Sequence, residues 1–234
     1  MNLPITPIID LLNSLLCGVC GIIMYQSYQR DPKSVVLQYF AYGYFSSAVA
    51  YIFFSIPRIA VPEESFVLGI AFIIAQSFLY LSIAHFSKVI IFFINVQLVR
   101  RVFWLVITAA LITTALNVVY FGYPVHDVTT GITNWDIHPI VGIASTIILG
   151  SVLMTSSIYF LWHGFRSKNK IVKRRSITIA IGLILLTITA SIYYSATTQI
   201  TALISDFLSL FSFLIIFFGV IYKRGSASLP HPKY

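Results

Sequence analysis

TALISDFLSLFSFLIIFFGVIY, residues 201–222, decides what kind of protein this is. At 1.5 Å per residue this apolar run reaches about 33 Å, the thickness of a bilayer's hydrocarbon core. It carries one acid, Asp206, and is followed by Lys223 and Arg224. A carboxylate inside such a segment costs about 2.5–3.5 kcal/mol on insertion scales, so it normally faces a protein interior and has a partner there. Asp206 therefore fixes which side of this helix looks inward.

The rest of the chain repeats the pattern. Over 234 residues 58% are hydrophobic and 9% charged, against about 25% charged in an ordinary soluble domain. Apolar runs at 5–25, 35–56, 66–88, 102–120 and 139–162 alternate with short polar stretches. The stretch 176–222 is too long for one crossing, so it turns back near 194–199 and supplies two spans, 177–193 and 201–222. The expectation is an all-α integral membrane protein: one seven-helix transmembrane domain over 1–222, and a short solvated tail over 223–234.

Charge orients the bundle. Arg30, Lys33, Lys88, Arg100, Arg101, the cluster from Arg166 to Arg175, and Lys223, Arg224 and Lys233 all fall on one side, leaving Arg58 on the other. Positive charge accumulates on the cytoplasmic side, so the N-terminus is expected outside and the C-terminus in the cytoplasm. The same segregation accounts for the net charge of +8 and argues against a nucleic-acid partner, which would need a basic stripe with exposed aromatics. Pro57 reads as the end of the second span, and Arg58, Glu63 and Glu64 as an external loop.

Several residues have chemistry beyond packing. Asp10 and Asp206 lie at similar depths below the outer surface in spans 1 and 7. If those spans are neighbours, both acids line one outward-opening cavity, with Asn13, Gln76 and Ser209 as further ligand-binding candidates. Asp10, Asn13, Cys17 and Cys20 recur at intervals of three, four and three, which places them on one helical face. The two cysteines read as small residues of that face, not as a redox pair. His126, Asp127, Asp136 and His138 in the long loop 121–138 are weak metal-ligand candidates, and ordinary loop polarity explains them more simply. Trp135 and Tyr123 read as interface anchors, and His85 as a side chain near the inner headgroups beside Lys88. The small residues Gly142, Thr146 and Gly150 permit close helix approach. No GxSxG, HExxH or phosphate-binding loop occurs, no lysine sits in mid-span for a retinal Schiff base, and no second histidine matches His85 for haem. The expectation is a non-enzymatic protein without a cofactor.

The stretch RSKNKIVKRRSITIAIG, residues 166–182, resembles the seven-span sensory input regions that precede bacterial histidine kinases and cyclase-type outputs. They share a basic loop leading into a glycine-bearing sixth span. The resemblance implies a receptor-like protein in a prokaryotic plasma membrane that binds a small ligand in its outward cavity. Because only 223–234 follow the last span here, it also implies signalling through a separate cytoplasmic partner at the segment from Arg166 to Arg175. Alternatives are a small-solute or ion transporter or channel, and an accessory subunit of a larger membrane complex. A homo-oligomer is compatible with each.

Overall fold

The structure, a computed structural model, describes residues 5–127, 132–195 and 198–222. It is a helical bundle with seven helices long and apolar enough to cross a membrane. They are α1 (Ile5–Arg30), α2 (Val35–Ala60), α3 (Ser65–Ile94), α4 (Val99–Val119), α5 (Pro139–Arg166), α6 (Lys170–Ser195) and α7 (Gln199–Ile221). The expected tail 223–234, with Lys223, Arg224 and Lys233, lies outside the described residues. So do residues 128–131 of the long loop.

Consecutive helices pack side by side, and α1 also packs on α7, which closes the ring. Direct contact between α3 and α5 leaves α4 outside their seam. Helix α4 is accordingly the least buried of the seven. The up-and-down order gives the bundle two distinct ends. One carries the loop between α4 and α5, within which β1 (Val125–Asp127) pairs antiparallel with β2 (Ile132–Asn134), Val125 opposite Asn134. At or near the other gather all the described lysines and arginines except Arg58. We call these the hairpin end and the basic end.

Two boundaries differ from the sequence reading, at Pro57 and in the basic cluster, and the structure decides a third, past Lys88, that the sequence leaves open. Pro57 does not stop α2, because a proline in the last turn removes a single ladder bond; the helix continues to Ala60, and Val61 N donates to Pro57 O at 2.8 Å. Helix α3 runs on past Lys88 to Ile94 and stops at Asn95, whose side chain accepts from Gln97 N. Most of the basic cluster is helical: the α5–α6 connection is only 167–169, and Asn169 Oδ1 accepts from Ile171 N at 2.9 Å to start α6. Arg175 then donates from Nη2 to Val220 O and from Nε to Gly219 O. It thus satisfies carbonyls that the end of α7 leaves without helical partners.

Packing between helices relies on close backbone approach and on polar side chains, as expected where lipid removes most of the hydrophobic drive. A Cβ on Gly182 would stand 2.6 Å from Ile216 Cγ1, and one on Gly219 would stand 2.7 Å from Ile179 Cγ1, so the two glycines let α6 and α7 meet reciprocally. The expected close approach at Gly142, Thr146 and Gly150 is not made among the described residues. Added Cβ atoms there would meet nothing nearer than Ile137 at 3.9 Å, and Thr146 is exposed. Hydroxyls bridge the other seams: Ser14 Oγ donates to Ala48 O, Ser47 and Ser82 share a bond at 2.8 Å, and Tyr80 and Ser145 share one at 2.6 Å. Cys17 and Cys20, both buried free thiols, belong to the main core with Met24 and Phe40.

Candidate ligand cavity

A cavity of about 80 Å³ opens inside the bundle, with side chains from every helix except α4 in its walls. This is ample for several waters or a compact solute. Its floor, toward the basic end, is aromatic. Phe86 of α3 and Phe213 of α7 line it, and the fully buried Tyr44 packs edge-on against both at 6.1 and 5.4 Å between ring centroids. Tyr44 also donates its hydroxyl to Phe213 O at 2.6 Å. Gly43 makes room for this arrangement, since a Cβ there would meet the Phe86 ring at 2.6 Å. Toward the hairpin end lie Phe54 and Tyr193, whose rings are 5.7 Å apart.

Above them sits Trp135. The sequence reading made it an interface anchor, but it is buried, 5.1 Å from Phe72 and 5.5 Å from Phe54, and forms a small core of its own at the hairpin end. The long loop folds inward here because Gly122 lets Asp136 O approach to 2.3 Å of where a Cβ would be. Asp136 takes a left-handed backbone (φ 50°), a conformation aspartate tolerates better than most residues.

Most polar groups of the cavity lie toward the hairpin end, although Ser47 and Ser82, hydrogen-bonded to each other, lie nearer the floor of the cavity. Asp10 of α1 and Asp206 of α7 both line it, so the two acids share one chamber. Asp10 lies about 8 Å and Asp206 about 10 Å along their helices from the hairpin end, at 1.5 Å per residue. Asp10 has a partner that sequence reading missed. Arg58 is not a loop residue; it lies in the last turn of α2, is 4% exposed, and places Nη2 on Asp10 Oδ2. Its Nε donates to Phe54 O and its guanidinium sits 5.5 Å over the Trp135 ring. A signal for it existed: Ser47, Tyr51, Phe54 and Arg58 follow at intervals of four, three and four, a single helical face.

Asp206 is 4% exposed, and its carboxylate takes no hydrogen bond among the described residues. Its backbone carbonyl accepts from Asn13 Nδ2 at 3.3 Å, which joins α7 to α1. Ser205 Oγ donates to Thr189 O at 3.1 Å, and Ser209 Oγ is hydrogen-bonded to the Tyr51 hydroxyl. Of the five expected ligand-binding residues, Asp10, Asp206 and Ser209 line the cavity. Asn13 supports it from behind, and Gln76 is buried in α3 outside the lining.

The weak metal candidates do not come together. His126 Nδ1 bonds Thr133 Oγ1 across the hairpin at 2.8 Å, and Asp136 accepts from Tyr123 N. His138 caps α5 through Ile140 N and stacks on Tyr120 at 4.2 Å. Among the described residues no three histidine, cysteine or acidic side chains form a metal-binding group. Burial and the nearby Arg58 push the His126 imidazole below its ordinary range, partly offset by Asp127. Deeper in the bundle, the His85 ring lies between Tyr42 and Phe103, while Lys88 Nζ sits 3.6 Å over Phe103. The chain matches no family model, no curated protein and no solved structure.

Proposed function

We propose that the chain is a non-enzymatic, receptor-like membrane protein that takes a small ligand into the cavity from the hairpin end and signals through a separate partner at the basic end. The observation that carries this reading is a chamber built by six helices, with two carboxylates in its half nearer the hairpin end and aromatic rings at both ends. A ligand there touches α6 and α7, which run directly into the basic segment. The segregation of lysine and arginine supports a cytoplasmic basic end and an external hairpin end, and the resemblance to seven-span sensory input regions supports residence in a prokaryotic plasma membrane.

The floor favours binding over passage. A transporter or channel needs a polar route onward toward the basic end, and beneath this cavity stand Tyr44, Phe86 and Phe213 instead. At the basic end, Lys170, Lys173 and Arg174 line an open groove of about 500 Å³ beside Phe218 and Tyr222. Its charge suits an acidic face of a cytoplasmic protein, which supports the segment from Arg166 to Arg175 as the partner contact.

The test is photo-crosslinking in intact cells from a reactive residue placed at Lys170. A recurring cytoplasmic regulator, captured in an amount that changes with Asp206→Asn, is the expected result. Recovery of membrane subunits in fixed ratio would replace this reading with that of a complex subunit.

A further inference from the structure

We propose that the ligand of this cavity is a small organic cation, with its ammonium group against the Asp206 carboxylate and its apolar part between the aromatic walls. The inference rests on the reading of the cavity as a ligand site and names the class of ligand. Charge is the first argument. Two carboxylates, Asp10 and Asp206, meet one guanidinium, Arg58, which is committed to Asp10. Fully ionised, the three groups leave one negative charge, carried by a carboxylate that is 4% exposed and faces the cavity. A buried carboxylate without a partner either takes up a proton or is paired with a counter-charge, and a bound monocation supplies the second.

The walls give the second argument. Tyr51, Phe54, Tyr193 and Phe213 all line the chamber, with Tyr51 6.1 Å from Phe213 and Phe54 5.7 Å from Tyr193. Aromatic faces around a desolvated site attract ammonium groups through their ring quadrupoles. The volume, about 80 Å³, suits a compact molecule better than a lipid. Third, the side-chain oxygens beside Asp206 are few: the hydroxyls of Thr189, Ser205 and Ser209 line the cavity with it. A hard metal cation needs some six oxygen ligands, whereas an ammonium is served by one carboxylate and ring faces.

The experiment is titration calorimetry on the full chain in nanodiscs, corrected with empty nanodiscs, using benzyltrimethylammonium and its uncharged isostere neopentylbenzene. A Na⁺ titration is run in a potassium background. The expected result is an ammonium affinity at least about tenfold above that of the isostere, a gap of roughly 1.4 kcal/mol. Asp206→Asn should remove it, while Asp206→Glu, which keeps the charge, retains part of it. Equal affinity for the two probes overturns the cationic class and leaves a ligand cavity standing. Binding of neither overturns both readings. A Na⁺ response that Asp206→Asn abolishes overturns the organic cation in favour of a metal ion. The comparison of probes on the unaltered protein decides the matter even if Asp206→Asn fails to fold.

Discussion

Asp10 and Arg58 form a buried ion pair across the seam between α1 and α2, with Asp206 of α7 facing the same chamber. The pair holds two helices together at the hairpin end, and Asp206 has no ion-pair partner among the described residues. Removing one partner strands the other, at a cost of about 3–5 kcal/mol. Arg58→Ala is therefore expected to lower thermal stability in detergent by that order. Adding Asp10→Asn should recover much of the loss, because the stranded charge goes too. A double variant no better than Arg58→Ala would show that the pair is not what the substitution breaks.

The seam between α6 and α7 makes a sharper packing prediction. At Gly182 a methyl group would meet Ile216 Cγ1 at 2.6 Å and Ile216 N at 3.0 Å, and backbone cannot give way as a side chain can. Gly182→Ala should destabilise the bundle by about 1–3 kcal/mol. Gly150→Ala, where nothing lies within 4 Å, should be near neutral. Equal effects of the two would refute the packing described for this seam.

The aromatic floor depends on one hydroxyl. Tyr44→Phe keeps the ring against Phe86 and Phe213 and removes the bond to Phe213 O. The expected loss is about 0.5–1.5 kcal/mol, read as a shift in unfolding midpoint.

His126 gives the hairpin a pH dependence. Its folded pKa is depressed by burial and by Arg58, so the folded state resists a proton that the unfolded chain accepts near its ordinary 6.5. Stability rises with pH wherever the unfolded state binds more protons than the folded one. The hairpin should thus be most stable above about pH 6.5 and weaken as pH falls through that value toward the lower folded one. Hydrogen exchange of residues 125–127 and 132–134 across pH 5–8 should show this, and His126→Gln should flatten it. No pH dependence in the unaltered protein would contradict the assignment.

Much of this architecture can be read directly from the chain. Seven apolar runs of bilayer length give seven helices, and Asp10 and Asp206 stand at matching depth because each lies a few residues into a span. The face through Asp10, Asn13, Cys17 and Cys20 is buried along its whole length. What the reading missed follows from local rules that tertiary structure overrode. Pro57 looks like a stop signal, so Arg58 reads as loop, yet one proline in a last turn costs a single bond and the helix carries Arg58 inward to Asp10. Trp135 has the composition of an anchor, and only the inward fold of its loop, permitted by Gly122, buries it. The hairpin strands are three residues each, too short to show an alternating pattern. Helix rotation and neighbour order, which bring Tyr51 to Ser209 and Tyr44 to Phe213, are set by contacts far apart in sequence.

Orientation is open to a direct check. Reporter fusions after Tyr123 and after Lys170 should report opposite sides of the membrane, the first outside and the second cytoplasmic. Equal signals would refute the up-and-down order.

The most direct measurement is thiol labelling at Ser209, which lines the cavity about 15 Å along α7 from the hairpin end. With Cys17 and Cys20 replaced by serine, Ser209→Cys is exposed to a membrane-impermeant trimethylammonium methanethiosulfonate reagent, in intact cells and in inverted vesicles. An outward cavity with a closed aromatic floor requires labelling in intact cells and protection in inverted vesicles. Labelling of equal rate from both sides, or from the inverted side alone, would contradict it.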